Sequence, residues 1–204
     1  GKEMEKIYES QGFKCFGYVP NGTRHISNSK RSINTPEDLK GLKIRVMQNP
    51  MHIAIFKTLG ANPTPLSYSE LYTALQQGVI DGQENAPAQV VDAKLHEVQK
   101  YYSLTGHLQS MICLLVSKKW YDALPQDLQK VFNNGIKEYE KNYVKLYFDY
   151  DNSCLDIMRK AGVKINELTD KQHQAFKDKS APIYSDYKDV IGEDLVNLAI
   201  SSSK

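Results

Sequence analysis

The order of patterns along this chain predicts an α/β fold with a mostly parallel sheet. Three observations carry that expectation. Short apolar or β-branched runs alternate with segments of helical period. Glycine and proline stand at most of the junctions between them. One helical stripe then runs unbroken from Pro125 to Gly162, which is long for a single small layer.

Residues 1–10 read as the end of a helix. Phe13 to Tyr18 follows as a strand, closed by a turn at Pro20-Asn21-Gly22. Thr35-Pro36-Glu37-Asp38 starts a short helix: Thr35 can cap, proline suits the first helical position, and Asp38 stands where a capping box puts its acid. Gly41 ends it, and Leu42 to Met47 is a buried strand. Ile53, Phe56 and Lys57 mark a helix that stops at Gly60. Asn62 to Leu66 carries two prolines, as edge strands and extended connectors do. Ser67 and Glu70 form a second capping box, and Leu71, Ala74 and Leu75 give the stripe of the helix behind it. Val79 to Gly82 reads as a short strand entering a turn, Pro87 to Leu95 as a helix, and Tyr101–Thr105 and Met111–Ser117 as two strands. The long stripe includes Leu128, Phe132, Ile136, Tyr143, Tyr147, Cys154 and Met158. As a helix it would extend roughly 50 Å, enough to bridge two lobes. Val163 to Ile165 returns to strand, and Asp170 begins further helix.

Composition narrows the function classes. The chain has 204 residues, 41% of them apolar and 25% charged, as in ordinary globular proteins. A net charge of +2 with scattered lysines gives no footprint for nucleic acid or an anionic membrane. The three cysteines are far apart and form no Cys-x-x-Cys pair, and the five histidines have no metal-ligand spacing, so neither a metal nor a cofactor is expected. No nucleophile elbow, zincin motif or phosphate-binding glycine loop is present, so no catalytic residues are assigned.

Arg45 is the informative residue. It interrupts the apolar strand Leu42-Lys43-Ile44-Arg45-Val46. A guanidinium stays charged at any ordinary pH, so it either points at water or meets an anion, and its flat fork can grip a carboxylate with two parallel bonds. Gln48 and Asn49 follow it at the carboxyl end of the strand, where open α/β sheets bind ligands. Asn85 offers donors and an acceptor that could read a hydroxy acid, or could cap the Pro87 helix. Glu84 could orient an arginine or lie as a solvated loop acid.

Three segments occur together in order: Asp38-Leu39-Lys40-Gly41-Leu42-Lys43-Ile44-Arg45-Val46, Leu59-Gly60-Ala61-Asn62-Pro63-Thr64-Pro65, and Leu66 through Asn85. In these the chain resembles the solute-binding proteins of tripartite ATP-independent periplasmic (TRAP) transporters, the DctP family. The resemblance runs from about Gly17 to at least Leu128. It implies a two-lobe solute-binding fold with a lobe-spanning helix, and binding of an organic acid in place of catalysis. It implies residues 1–22 as the end of a first lobe, 23–110 as a second, ligand-binding lobe, 111–150 as the return to the first lobe with the start of the spanning helix, and 151–204 as the rest of that helix and of the second lobe. Family members are longer, so the resemblance also implies an N-terminally truncated member whose first lobe is incomplete. Arg24 matches a second arginine of the family's pocket, Tyr68 a position that is phenylalanine in sialic-acid binders, and His107 a histidine near the ligand. The expected setting is the periplasm, with a monomer delivering its solute to transporter membrane subunits. The Arg45-Val46-Met47-Gln48-Asn49-Pro50 stretch inclines the resemblance toward a sugar acid. An extracytoplasmic sensor on the same fold is the alternative.

Overall fold

A computed structural model describes residues 2–202. Its centre is one six-stranded sheet in the order β3-β2-β4-β1-β5-β6. The strands are β1 (Phe13–Asn28), β2 (Lys43–Val46), β3 (Asn62–Pro65), β4 (Gly82–Asn85), β5 (Tyr101–Ser117) and β6 (Lys164–Glu167). β2 runs parallel to both β3 and β4, and β5 to β6. β1 is antiparallel to β4 and to β5. The sheet is thus parallel in three of its five pairings.

Two apolar clusters hold the sheet. The first joins Ile26, Leu42, Ile44 and Val46 to Phe56 of α2 (Pro50–Thr58) and Phe176 of α7 (Asp170–Ser180). The second joins Ile80 and Tyr102 to Leu71 of α3 (Leu71–Gln76), Val90 of α4 (Pro87–Asp92) and Met158 of α6 (Gln126–Lys160). Away from both, Phe16 packs edge-on against Tyr121 of α5 (Lys118–Asp122) and Phe132 of α6, with Trp120 beside Phe132. Helix α1 (Lys2–Ser10) precedes the sheet, and α8 (Pro182–Asp186), α9 (Lys188–Ile191) and α10 (Glu193–Ser202) follow α7. No helix among the described residues is long and apolar enough to cross a membrane.

The short helix starts are built as their residues dictate. The Asp38 carboxylate accepts the backbone N–H groups of Asn34 and Thr35 at 2.9 Å each, and that of Glu70 accepts Ser67 N–H at 3.2 Å. Helix α6 is continuous for 35 residues, through Asn133-Asn134-Gly135.

Three expectations need correction. Pro20-Asn21-Gly22 is not a turn: β1 continues through it, and the ladder to β5 shifts register between Pro20 and Thr23. Gly22 sits at φ +84°, and a Cβ there would fall 2.5 Å from the Tyr147 hydroxyl and 2.6 Å from the Ala86 methyl, so α6 and the end of β4 close on a bare backbone. Tyr101–Thr105 and Met111–Ser117 are one 17-residue strand, because the gap between them still pairs with Thr23 and Arg24. The short strand does not occupy Val79–Gly82 but begins at Gly82. Val79 is exposed in the turn, whereas Gly82 passes so close to β1 that a Cβ would lie 2.2 Å from Ser27 O. Only glycine admits that approach, and the polar run after it becomes the paired strand.

Candidate ligand-binding site

The neighbouring strands β2, β4 and β1 bring the charged residues to one end of the sheet. Arg45 stands near the carboxyl end of β2, and Glu84 and Asn85 end β4. On β1, Ile26 is opposite Glu84 and His25 opposite Asn85, which sets Arg24 just beyond the end of β4. Ends of parallel strands are where open α/β sheets receive ligands.

Arg24 is only 4% exposed, and its fork is taken up by Glu84. Nε donates to Glu84 Oε2 at 2.5 Å, and Nη2 to Oε1 and to the Glu84 carbonyl at 2.7 Å each. Histidines complete the surroundings of the acid: His107 Nε2 lies 3.4 Å from Oε2, and His52 Nδ1 3.8 Å from Oε1. Burial alone would raise the Glu84 carboxyl, but hydrogen bonds from Arg24 and His107 outweigh it and bring it down to about 2. Burial lowers His52. His107 is itself oriented by Thr105, whose Oγ1 is 2.8 Å from Nδ1, and by the edge of Phe56.

Arg45 is equally buried, at 4% exposure, but its bonds are of a different kind. Nε and Nη2 both donate to the Leu66 carbonyl, at 2.9 and 2.7 Å, which fixes the plane of the guanidinium. The Tyr68 ring lies 6.0 Å from Arg45 Cζ. Among the described residues no carboxylate lies within ion-pair distance of it. Burial pulls its proton affinity down from the ordinary value, against the more distant pull of Glu84. Of the two buried guanidinium groups, Arg24 is therefore paired with a carboxylate and Arg45 is not.

Asn85 is buried, and its amide donates to Gln83 Oε1 at 2.6 Å. Gln83 in turn donates to Ser27 Oγ, and Ser27 to Gln99 Oε1, so a buried polar chain runs back from the site. The Asn85 carbonyl accepts the Tyr102 hydroxyl at 2.9 Å. The Asn85 side chain does not cap α4. Asp151 of α6 does, accepting Ala88 N–H at 2.8 Å. Tyr68 is half exposed and donates its hydroxyl to Gln89 O at 3.3 Å.

Of the eight predicted residues, Arg24 and His107 both meet Glu84, and Arg45, Tyr68 and Asn85 flank them. Gln48 is exposed, and the Asn49 side-chain oxygen Oδ1 is engaged in capping α2, where it accepts Met51 N–H at 2.9 Å. His52 and Gln83 were missed by sequence reasoning. His52 follows the Asn49 cap by three residues, which aims the first turn of α2 at the strand ends, and Gln83 stands between two singled-out residues.

The family model for bacterial extracellular solute-binding proteins, family 7 (DctP), matches residues 1–189. The chain belongs to the DctP family. DctP proteins bind solutes for transport and are not enzymes. The chain is 38% identical over 178 residues to the 2,3-diketo-L-gulonate-binding periplasmic protein YiaO of Escherichia coli, covering 87% of this chain and 54% of that one. A TRAP periplasmic solute-binding protein from a Sulfitobacter species, solved with β-D-galacturonate, superposes with a TM-score of 0.91 at 36% identity, covering 97% of this chain and 66% of that one. One from Chromohalobacter salexigens, solved with D-glucuronate, gives 0.93 at 30% identity, covering 100% and 67%. The chain thus spans about half the length of that curated relative and two thirds of the solved chains. These matches bear out the α/β solute-binding fold.

Proposed function

We propose that this chain binds a sugar acid outside the cytoplasm and delivers it to the membrane subunits of a TRAP transporter. The observation that carries the reading is the charge count at the strand ends. Arg24 is neutralised by Glu84, while Arg45 is buried against a carbonyl and an aromatic ring, neither of which carries a negative charge. A buried cation of that kind is costly unless an anion arrives, and a ligand carboxylate is the anion its fork fits. Arg45 holds the carboxylate; Arg24 and Glu84 give that grip a rigid charged wall. Asn85, His107 and Tyr68 face the remaining hydroxyl groups, with Gln48 and the Asn49 amide at the rim.

The relatives favour this class of solute: their names and bound ligands include diketogulonate, galacturonate and glucuronate. They are binding proteins of transport systems, which favours delivery over signalling. The lobe division at residues 22, 110 and 150 belongs to the same proposal. It is supported by the two apolar clusters, whose buried members all come from residues 26–102 and 158–176.

Calorimetry with galacturonate, glucuronate, galactonate and succinate tests the reading. A sugar acid is expected to bind most tightly. Arg45→Ala is expected to weaken it by roughly 2–5 kcal/mol, as truncating one side of a desolvated charge pair does. Arg45→Lys is expected to lose much of it too, for want of the planar fork. Near-native affinity in both variants would remove Arg45 from the site and the reading with it.

A further inference from the structure

Cys15 and Cys113 meet across the β1–β5 ladder with their Sγ atoms 3.2 Å apart. The contact arises at an irregularity of the ladder. Cys15 is opposite Leu115 and Tyr18 opposite Cys113, so β1 carries one residue more than β5 over this step. An unbulged antiparallel pair holds such diagonal neighbours about 7–8 Å apart, whereas a bulge bends its strand locally. Gly17, at φ +123°, supplies the backbone freedom. Both cysteines are half-buried, within reach of a small reagent, while Cys154 is fully buried on α6.

We propose that Cys15 and Cys113 are a disulfide-forming pair, oxidised by an external disulfide, that fastens β1 to β5. One thiolate attacks a sulfur of the external disulfide; that S–S bond breaks and one half leaves as a thiol. The second cysteine, having lost its proton, attacks the mixed disulfide and releases the other half. Two electrons pass from the cysteines to the external disulfide, and two protons end on the released thiols. Burial and the neighbouring Cys15 push the Cys113 thiol up to about 11, against hydrogen bonds with Tyr8 and Tyr18 that pull it down. The bond lies on the Phe13 side of the Pro20–Thr23 register shift, whereas Arg24 lies on the other side. Fastening there stiffens the ribbon without touching the residues at the strand ends.

The test is to incubate the purified protein with oxidised glutathione, then alkylate it under denaturing conditions and map the peptides. The expected result is one alkylated cysteine, Cys154, of the three in the chain, with the peptides of Cys15 and Cys113 joined. Cys113→Ser should give no internal bond and instead a glutathione adduct on Cys15. Three alkylated cysteines in the parent, glutathione adducts that never resolve, or a bond to Cys154 would each overturn the proposal. The oxidised parent should also unfold at higher urea than the reduced parent, a difference absent in Cys113→Ser. Equal midpoints would overturn the fastening role.

Discussion

Removing the charge of the carboxylate that grips Arg24 should destabilise the fold by several times what an exposed ion pair is worth. In Glu84→Gln, Arg24 keeps one bond to the Glu84 carbonyl and loses both charged acceptors, in a place where neither side chain meets water. The fall of the Glu84 carboxyl from 4.5 to about 2 gives the scale. At ~1.4 kcal/mol per pH unit, its surroundings favour the ionised form by roughly 3 kcal/mol. That agrees with the roughly 3–5 kcal/mol lost when one partner of a buried pair is removed. Arg24→Met should cost a similar amount, because it leaves Glu84 unpaired. The double variant Arg24→Met/Glu84→Gln should cost much less than the two added together, since no buried charge of that pair remains. Urea unfolding of the four proteins closes the cycle. Two single variants that each cost under about 1 kcal/mol and simply add would refute the picture of a dry, mutually dependent pair.

Acid should weaken the fold in a defined window. Burial, aided by His107 and His173, lowers His25 to about 3, and its Nδ1 accepts Gly106 N–H at 2.9 Å, a bond that protonation would end. Because the folded value lies below the ordinary 6.5, the unfolded chain takes the proton first. Stability is therefore full above that value and falls from there toward pH 3, by up to ~1.4 kcal/mol per pH unit for this one group. Glu84, also lowered, adds a loss in the same direction below 4.5. Urea midpoints taken from about pH 7 to 4 should decline, and His25→Gln should flatten the upper part of that decline; an unchanged slope would show that His25 is not its source. A separate expectation concerns Asp151→Ala, which leaves the buried Ala88 N–H without its acceptor and should cost roughly 1–3 kcal/mol. Asp151→Asn keeps an oxygen there and should cost distinctly less, as read from the same unfolding curves.

The sequence was most legible where local chemistry and tertiary structure agree. Thr35 to Asp38, Ser67 to Glu70 and the stripe of α6 each carry their own instructions, and each forms as expected. Arg45 could be singled out because an arginine in an apolar strand has few physical fates. What could not be read was settled by residues distant in sequence. The turn signal at Pro20-Asn21-Gly22 is overridden by a partner strand that accepts an irregular register. The strand after Gly82 was obscured because its residues are polar and buried together, a combination no alternation rule anticipates. The cap of α4 comes from Asp151, some sixty positions downstream of Ala88, so Asn85 looked the better candidate from nearby. The gripping of Arg24 by Glu84 depends on the same kind of distant pairing, through the β1–β4 register.

The ladder between β1 and β5 has a consequence for how the molecule is made. Its partners are separated by roughly 70 to 100 residues, and non-local pairing of that kind slows folding because loop closure precedes any reward. Until β5 emerges, β1 can gain β4 on one side only, and the other side of a long strand stands open. An open strand of that length is a template for the wrong neighbour. The interval between synthesis of Asn28 and Ser117 is therefore when this chain most needs to be kept from its own copies. Slowing β5, by weakening its register with Thr23 and Arg24, would be expected to lower yield before it lowered the stability of whatever folded.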